Sequence, residues 1–388
     1  RCSSYRQSNG IATTDGTMRS TTLARAIYRD LRGKQTTPKS DEEHVSAAIN
    51  WLYQTQDVTG CGGSAGYYSL LTGWSGPYPE TTGYIIPTFY DYAEYADSEE
   101  ARERAEGMAS WLLETQLDDG GFPSGIDPGP KADPSVFNTG QILFGLVRAY
   151  QETGDEEYRT AIENAGRWLV KVQHASGYWD RYDYRGEIHS YCSRVAWALL
   201  EAERQTGIEE FREAAVSNLD WVVSRQTDNY WFEKAGFSEG ETPFLHTLAY
   251  TIRGLLESGL ILDNDTYIES AKATADTLLY LGDPADPLDG TFDESWTGTD
   301  FSCLTGNAQT ALIWLRLYEK FGNHRYVDAV AEEIRFLKTQ HMLSGLPEVC
   351  GGMPGSNPVW GPYLRFRYPN WSVKFFLDCL LHPRRNTV

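Results

Sequence analysis

The chain has 388 residues, of which 41% are hydrophobic and 23% charged, a composition typical of a globular protein rather than a disordered one. Its formal net charge of −20 disfavours nucleic acid as a partner, and no apolar run reaches the roughly 20 residues of a membrane-spanning helix. Six cysteines without CxxC spacing are typical of buried thiols in a reducing compartment, which favours a cytoplasmic location.

The first 40 residues differ in charge from the rest of the chain. They carry eight basic side chains against Asp15 and Asp30, a net charge of +6, so residues 41–388 alone sum to −26. We therefore expect residues 1–40 to form a basic arm or helix and residues 41–388 to form a single acidic domain.

A six-fold repeat runs through residues 41–388. Four clear copies share a Trp and, five residues later, a Gln: WLYQTQ at 51–56, WLLETQ at 111–116, WLVKVQ at 168–173 and WVVSRQ at 221–226. Weaker copies, TLLYLG and RFLKTQ, occupy 277–282 and 335–340, and successive copies start 53 to 60 residues apart. Each copy ends an amphipathic helix, a glycine-rich turn follows, and a second, more apolar helix comes next.

The repeat predicts an all-α fold in which six helical hairpins close into a ring, an (α/α)6 toroid. The more apolar second helices should form the inner ring, because closure buries all of them. An open superhelix is the structural alternative, but it should show polar end repeats, and the last helix is as apolar as the first. The inner helices are predicted to begin near Thr81, Asn138, His189, Pro243, Thr305 and Pro369.

All inner helices of such a ring point the same way, so their N-termini and the long loops before them meet at one mouth. Polar and aromatic side chains are concentrated there, which predicts a polar cavity suited to a sugar, because rings stack on its C–H faces and polar groups bind its hydroxyls. The candidate binding residues are Tyr78, Asn138, Gln141, Trp179, Tyr182, Arg185, Arg194, Tyr250, Trp231, Asn307, Arg365, Trp371 and Lys374.

The repeat also resembles known families. WLLETQLDDGGF at 111–122 is similar to the repeat of squalene cyclases and prenyltransferases, and the six hairpins resemble (α/α)6 carbohydrate enzymes and the helical domain of glucuronyl C5-epimerases. YPETTGYIIPT at 78–88 and YPNWSVKFFLD at 368–378 look like segments of uncharacterised polysaccharide-cluster proteins. The DxDD acid of terpene cyclases is missing, and no Cys–His pair accompanies Cys303 or Cys350, so we expect neither a metal nor another cofactor.

The favoured hypothesis is abstraction of the C5 proton of a uronic acid in an acidic oligo- or polysaccharide, giving epimerisation or, if the C4 oxygen leaves, a lyase reaction. Such chemistry needs acid/base groups and a cation for the substrate carboxylate. Tyr191, His246 and His189 are the acid/base candidates, Arg185 and Arg194 would form a local positive cleft, and Glu80 and Tyr84 would orient the sugar.

Two alternatives remain open. A glycoside hydrolase would use two carboxyl groups flanking the scissile bond, and a non-catalytic toroid would bind a glycan without turnover. Sequence alone does not pair the carboxyl candidates, which are Glu80, Asp180, Asp183, Glu187, Asp293, Glu294 and Glu348.

Overall fold

The computed structural model describes residues 12–32, 37–282 and 287–383, and for residues 12–20 it describes the backbone alone. Residues 1–11 and 33–36 of the expected basic arm therefore lie outside the described residues. The rest of the arm contains one helix, α1 (Ala12–Leu31), which contacts the last long loop of the ring. There the Asp30 carboxylate accepts a 2.7 Å hydrogen bond from the backbone N–H of Val359.

Twelve further helices alternate between two rings. The outer ring contains α2 (Asp41–Asp57), α4 (Glu99–Thr115), α6 (Glu156–Val172), α8 (Glu209–Val223), α10 (Asp265–Leu281) and α12 (His324–Gln340). The inner ring contains α3 (Pro79–Ala96), α5 (Val136–Thr153), α7 (Ser193–Thr206), α9 (Leu245–Leu262), α11 (Leu304–Phe321) and α13 (Asn370–Leu381). Each inner helix contacts the next one, and α13 contacts α3, so the ring is closed and the (α/α)6 toroid is confirmed.

The turns at the two ends of the toroid differ in length. An inner helix passes to the following outer helix through two residues, the first in the left-handed region, as at Gly154 (φ +69°) before the Asp155 N-cap of α6. An outer helix passes to the following inner helix through a long loop. All six long loops therefore lie at the end where the inner helices begin, as the sequence predicts.

The repeated Gln joins neighbouring repeats. The Gln116 side-chain amide donates to the backbone carbonyls of Gly120, in its own loop, and Ala161, on the next outer helix, both at 2.9 Å. Gln173 makes the same two bonds, at 2.9 Å, to Gly177 and Ala214. Ala161 and Ala214 lie inside α6 and α8, so each Gln amide adds a donor to a helix carbonyl and joins its own loop to the next outer helix.

The same kind of interface closes the ring. Gly351 and Gly352, in the sixth long loop, pack on Ala47 and Trp51 of α2. Gly121, in the second long loop, packs in the same way on Trp168 of the outer helix that follows it, α6. Short strands add to the closure: β1 (Tyr67–Ser69) in the first loop pairs with β2 (Gly73–Trp74) and with β5 (Arg367–Pro369) in the sixth. A second ribbon joins the fifth and sixth loops through β3 (Ser302–Cys303) and β4 (Ser356–Asn357).

A buried pair of histidines lies at this closure. His44 of α2 accepts from the backbone N–H of Lys39 through Nε2, and its Nδ1 is 2.8 Å from Nδ1 of His341. Nε2 of His341 is 2.8 Å from the carbonyl oxygen of Gly351. Two neutral rings satisfy all of these contacts: His44 donates to His341, and His341 donates to Gly351.

We expect acid to weaken the toroid partly through this pair. Burial, more than the neighbouring His44, lowers the pKa of His341 from 6.5 to about 3. Between pH 6.5 and about pH 3 the unfolded chain binds a proton at His341 that the folded chain does not bind. The free energy of unfolding is therefore highest above pH 6.5 and decreases as the pH falls through this range. The loss should be about 1.4 kcal/mol per pH unit for this group.

Urea unfolding of the wild type and of His341→Asn between pH 7 and pH 4 measures this contribution. The free energy of unfolding of the variant should be lower at pH 7 and should fall less steeply with acid. Parallel curves for the two proteins would show that His341 does not contribute to the pH dependence.

Candidate functional site

A cavity of about 750 Å³ opens at the end of the toroid where the long loops lie, and we call it the mouth cavity. Ten of the eighteen site residues proposed from the sequence line it. They are Glu80, Tyr84, Tyr191 and His246 among the catalytic candidates, and Tyr78, Asn138, Tyr182, Arg185, Tyr250 and Trp371 among the binding candidates. The residues at the starts of the inner helices thus meet at one mouth.

Glu80 is the most perturbed carboxyl group of the mouth cavity. It lies in the first turn of α3 and accepts a short hydrogen bond from the hydroxyl of Tyr78. Burial raises the pKa of Glu80 to about 7 and the negative charge of Asp183 adds to this, whereas the Tyr78 hydrogen bond and the charge of Arg194 oppose it. A carboxyl group with such a pKa can give or take a proton near neutral pH.

Asp183 is a second carboxyl group lining the same cavity. Its Oδ1 accepts a 2.8 Å hydrogen bond from the backbone N–H of Tyr184, and its Oδ2 is 2.9 Å from Sγ of Cys192. Burial raises the pKa of Asp183, while the charge of His189 and both hydrogen bonds oppose the increase. The two oxygens are therefore held in a fixed orientation at the cavity wall.

His246 is neutral at physiological pH. Burial, assisted by the positive charge of Arg194, lowers its pKa to about 3. Its Nδ1 is 2.9 Å from Nε2 of Gln309, so when the Gln309 amide donates, the proton of the imidazole lies on Nε2. The ring also packs against Tyr250 and Tyr363, with centroids 4.4 and 5.3 Å away.

Aromatic rings form much of the remaining wall. Phe137 packs against both Tyr191 and Tyr250, and Nε1 of Trp371 donates to the Tyr363 hydroxyl at 2.8 Å. The rings and the polar groups together form a wall on which a sugar could stack while its hydroxyls are bound.

The expected positive cleft is not present at the mouth. Of the described charged residues lining the cavity, only Arg185 is cationic, whereas Glu80, Asp133 and Asp183 are acidic. Arg185 lies at the rim with a half-exposed side chain that contacts Ser238 and Glu241 at 2.5 and 3.3 Å.

Three further candidates lie deeper in the ring than the mouth cavity. The Arg194 guanidinium is buried and donates from Nε to Oε1 of Gln141 at 2.5 Å. Lys374 pairs with Asp378, one turn further along α13. Arg194 and Lys374 line a separate cavity instead, because α7 and α13 carry them toward the middle of the ring.

Four other candidates contribute to packing or to the rim instead. Trp179 is buried and donates to the Leu169 carbonyl at 3.0 Å, and Trp231 packs edge-on against Trp296. The Asn307 amide is turned outward to Glu333 of α12, at 3.1 Å. Arg365 is not among the residues lining the mouth cavity.

His189 lies behind the cavity wall. Its two ring nitrogens are each 3.1 Å from a backbone carbonyl oxygen, those of Gly236 and Tyr184, and its ring stacks on Tyr191. Since both nitrogens are engaged, His189 is placed to position Tyr191 and the loop rather than to exchange a proton with a ligand.

Sequence reasoning missed three phenylalanines of the cavity wall, Phe137, Phe237 and Phe244. Phe244 is the N-cap of α9, the position that Tyr78 occupies at α3, and Phe137 follows the first residue of α5. An aromatic residue at the start of an inner helix is therefore a signal that identifies Phe137 and Phe244.

The described ranges contain no group of three or more His, Cys, Asp or Glu side chains arranged to hold a metal ion. No helix in this part of the chain is both long and apolar enough to cross a membrane.

Several solved structures with the same architecture are carbohydrate-active enzymes. An unsaturated glucuronyl hydrolase specific for heparin superposes with a TM-score of 0.71 at 14% identity, covering 90% of this chain and 98% of that one. The unsaturated glucuronyl hydrolase of Bacillus sp. GL1, responsible for the degradation of glycosaminoglycan, gives 0.70 at 16%, covering 89% and 97%. Cellobiose 2-epimerase from Bacillus thermoamylovorans B4167 gives 0.66 at 14%, covering 93% and 99%.

No protein-family model matches the sequence, and neither does any curated protein. At these identities the structural likeness establishes the fold. The chain is thus similar in architecture to (α/α)6 toroid hydrolases and epimerases of sugars.

Proposed function

We propose that the chain is a carbohydrate-active enzyme that transfers protons through Glu80 in the mouth cavity. The observation that carries this proposal is the burial of Glu80 beside Tyr78, which brings its pKa to about 7 in an aromatic-lined cavity. The hydrolases and epimerases of the same fold support a saccharide as the substrate.

Hydrolysis is the reaction that the cavity supports best, because two of its carboxyl groups, those of Glu80 and Asp183, are held in different surroundings. Protonated Glu80 would give its proton to the glycosidic oxygen as the bond to the anomeric carbon breaks. Asp183, held by Tyr184 and Cys192, would take a proton from the attacking water. Exchange with solvent would then restore both groups.

C5 epimerisation of a uronate is the second candidate. Tyr78, Tyr84, Tyr250 and His246 surround the Glu80 side of the cavity and could move a proton to or from carbon. The substrate carboxylate would have to reach Arg185 at the rim, since Arg194 and Lys374 line the deeper cavity. This need for a distant cation makes the epimerase the weaker of the two candidates.

One experiment separates these reactions. Neutral and uronate-containing oligosaccharides are incubated with the protein in deuterated water and followed by NMR. Hydrolysis gives new reducing-end signals without deuterium on carbon, whereas epimerisation replaces the C5 proton by deuterium and inverts that centre. Saturable binding with neither product, across the whole panel, would contradict an enzymatic role.

A further inference from the structure

A second cavity lies deeper in the ring, and we call it the rear cavity. It has a volume of about 300 Å³. Four inner helices, α3, α5, α9 and α13, line both cavities, and each contributes residues nearer its C-terminus to the rear cavity. On α3, for example, Glu80 lines the mouth cavity and Asp91 the rear cavity, and on α9 His246 lines the first and Arg253 the second. Tyr84 borders both cavities, and the half-exposed Asp91 side chain lies at the solvent side of the rear one.

Charged side chains line the rear cavity, and most of them are paired. Arg148 bonds to Asp91 at 2.7 Å, and Lys374 bonds to Asp378. Glu201 accepts a hydrogen bond from Nε1 of Trp197 at 3.1 Å. The described lining contains four cations, which are Arg148, Arg194, Arg253 and Lys374, and three anions, which are Asp91, Glu201 and Asp378. Outside the lining, Glu152 also binds Arg148 at 2.7 Å and Arg204 binds Glu201 at 3.2 Å.

Arg194 makes no ion pair with a described carboxylate, and Arg253 has only a loose one with Glu257. Arg194 is only 3% exposed, and its Nη1 is buried without a hydrogen-bond partner among the described residues. Nε of Arg253 is likewise buried without a hydrogen bond in the described part of the chain: its nearest carboxylate, Glu257, is 3.5 Å away and binds Arg316 at 3.0 Å. Leaving a buried donor without an acceptor is unfavourable, and more so when the donor is charged.

These two guanidinium groups both lie near the Trp197 ring. Their central carbons are 5.3 and 5.4 Å from the centre of that ring. They are also close enough that the charge of Arg253 adds to the effect of burial, which lowers the pKa of Arg194 to about 10. An anion in the rear cavity that reaches both groups would offset their repulsion.

We propose that the rear cavity binds a small oxyanion, such as a phosphate or a short carboxylate, through the guanidinium groups of Arg194 and Arg253. The cavity is far larger than the roughly 15 Å³ that one water molecule requires, so such an anion and several waters fit. Planar guanidinium forks match the geometry of these anions. The anion should bind whether or not the mouth cavity catalyses the reaction assigned to it.

The competing explanation is that aromatic rings alone stabilise the buried cation. Arg194 lies 4.9 Å from the ring centre of Tyr250 and 5.2 Å from that of Phe144, and such contacts favour a guanidinium. They do not supply an acceptor for Nη1, however. The two explanations therefore differ in whether an added anion binds.

Isothermal titration calorimetry on the full chain tests the proposal, with sodium phosphate, sodium sulfate and sodium acetate as separate probes at constant pH and ionic strength. We expect one saturable site per chain for at least one of these anions. Arg253→Gln should raise the dissociation constant by about tenfold or more, as expected for the loss of one charge-assisted hydrogen bond. Glu201→Gln should lower the dissociation constant, because a neighbouring negative charge is removed.

Arg167→Gln is the matched control, since this arginine lies exposed on the outer helix α6 and pairs with Glu210 at 3.2 Å. Its dissociation constant should equal that of the wild type. Absence of saturable binding for all three anions would overturn the proposal, and so would equal affinities for the wild type and Arg253→Gln. Because binding is measured directly, either result is independent of whether the chain turns over a glycan.

Discussion

Replacing Glu80 with Gln is expected to lower turnover by about 10²–10⁴-fold, the usual contribution of a general acid or base. The Gln side chain has nearly the same volume but cannot exchange a proton. It removes a carboxyl group whose burial opposes ionisation, so the free energy of unfolding should not fall. The measurement is the initial rate on the first glycan found to be processed, together with urea unfolding.

Asp293→Asn is the matched control for this prediction. Asp293 was among the carboxyl candidates of the sequence, but its Oδ1 accepts hydrogen bonds from Ser295 and from the N–H of Thr297 within its own exposed loop. We expect this variant to keep its rate within about twofold, because it lacks contact with the cavity. A Glu80→Gln protein as active as Asp293→Asn would exclude Glu80 as the proton-transfer group.

Replacing Gly351 with Ala is expected to destabilise the protein by about 2–5 kcal/mol. Gly351 has φ +89°, a region in which L side chains cost about 1–2 kcal/mol. An added Cβ would lie 2.2 Å from the carbonyl oxygen of Ala47 and 2.8 Å from Cβ of Trp51, and such overpacking adds about 1–3 kcal/mol. The contact joins the last loop to the first outer helix, so the loss would come from the closure of the ring.

Gly207→Ala provides the control, measured in the same urea titration. Gly207 has φ +72° at the end of α7, but no described atom outside its immediate neighbours comes within 4 Å of an added Cβ. This variant should lose only the backbone cost of about 1–2 kcal/mol. Equal losses for the two variants would mean that the interface between α2 and the sixth loop does not contribute to stability.

The ring could be predicted from sequence because its signal is local and repeated. The Trp and Gln of each copy recur at a nearly constant spacing, and the order of a more polar and a more apolar helix recurs with them. What the repeated Gln does could not be predicted, since its partner, such as Ala161 for Gln116, belongs to the next repeat. Such a contact becomes visible only when neighbouring hairpins are packed together.

The site was predicted less completely, for a geometric reason. The sequence indicates that an inner helix begins near a residue, but not which side chains of the first turn face the ring axis. Asn307 is an example: it lies in the first turn of α11, as expected, but its side chain turns outward to Glu333. The loop before α7 adds a short 3-10 turn at Ser190–Cys192, so the helix starts at Ser193, His189 falls before it and Arg194 lies deeper than expected.

Carbon NMR of chains labelled at the glutamate carboxyl groups measures directly whether Glu80 exchanges a proton near neutral pH. We expect two carboxyl signals to titrate near pH 7, because burial raises the pKa of both Glu80 and Glu333 to about 7. One signal should vanish in Glu80→Gln and the other in Glu333→Gln. A signal that is lost in Glu80→Gln but titrates near pH 4.5, the ordinary value, would show that Glu80 is not the proton-transfer group.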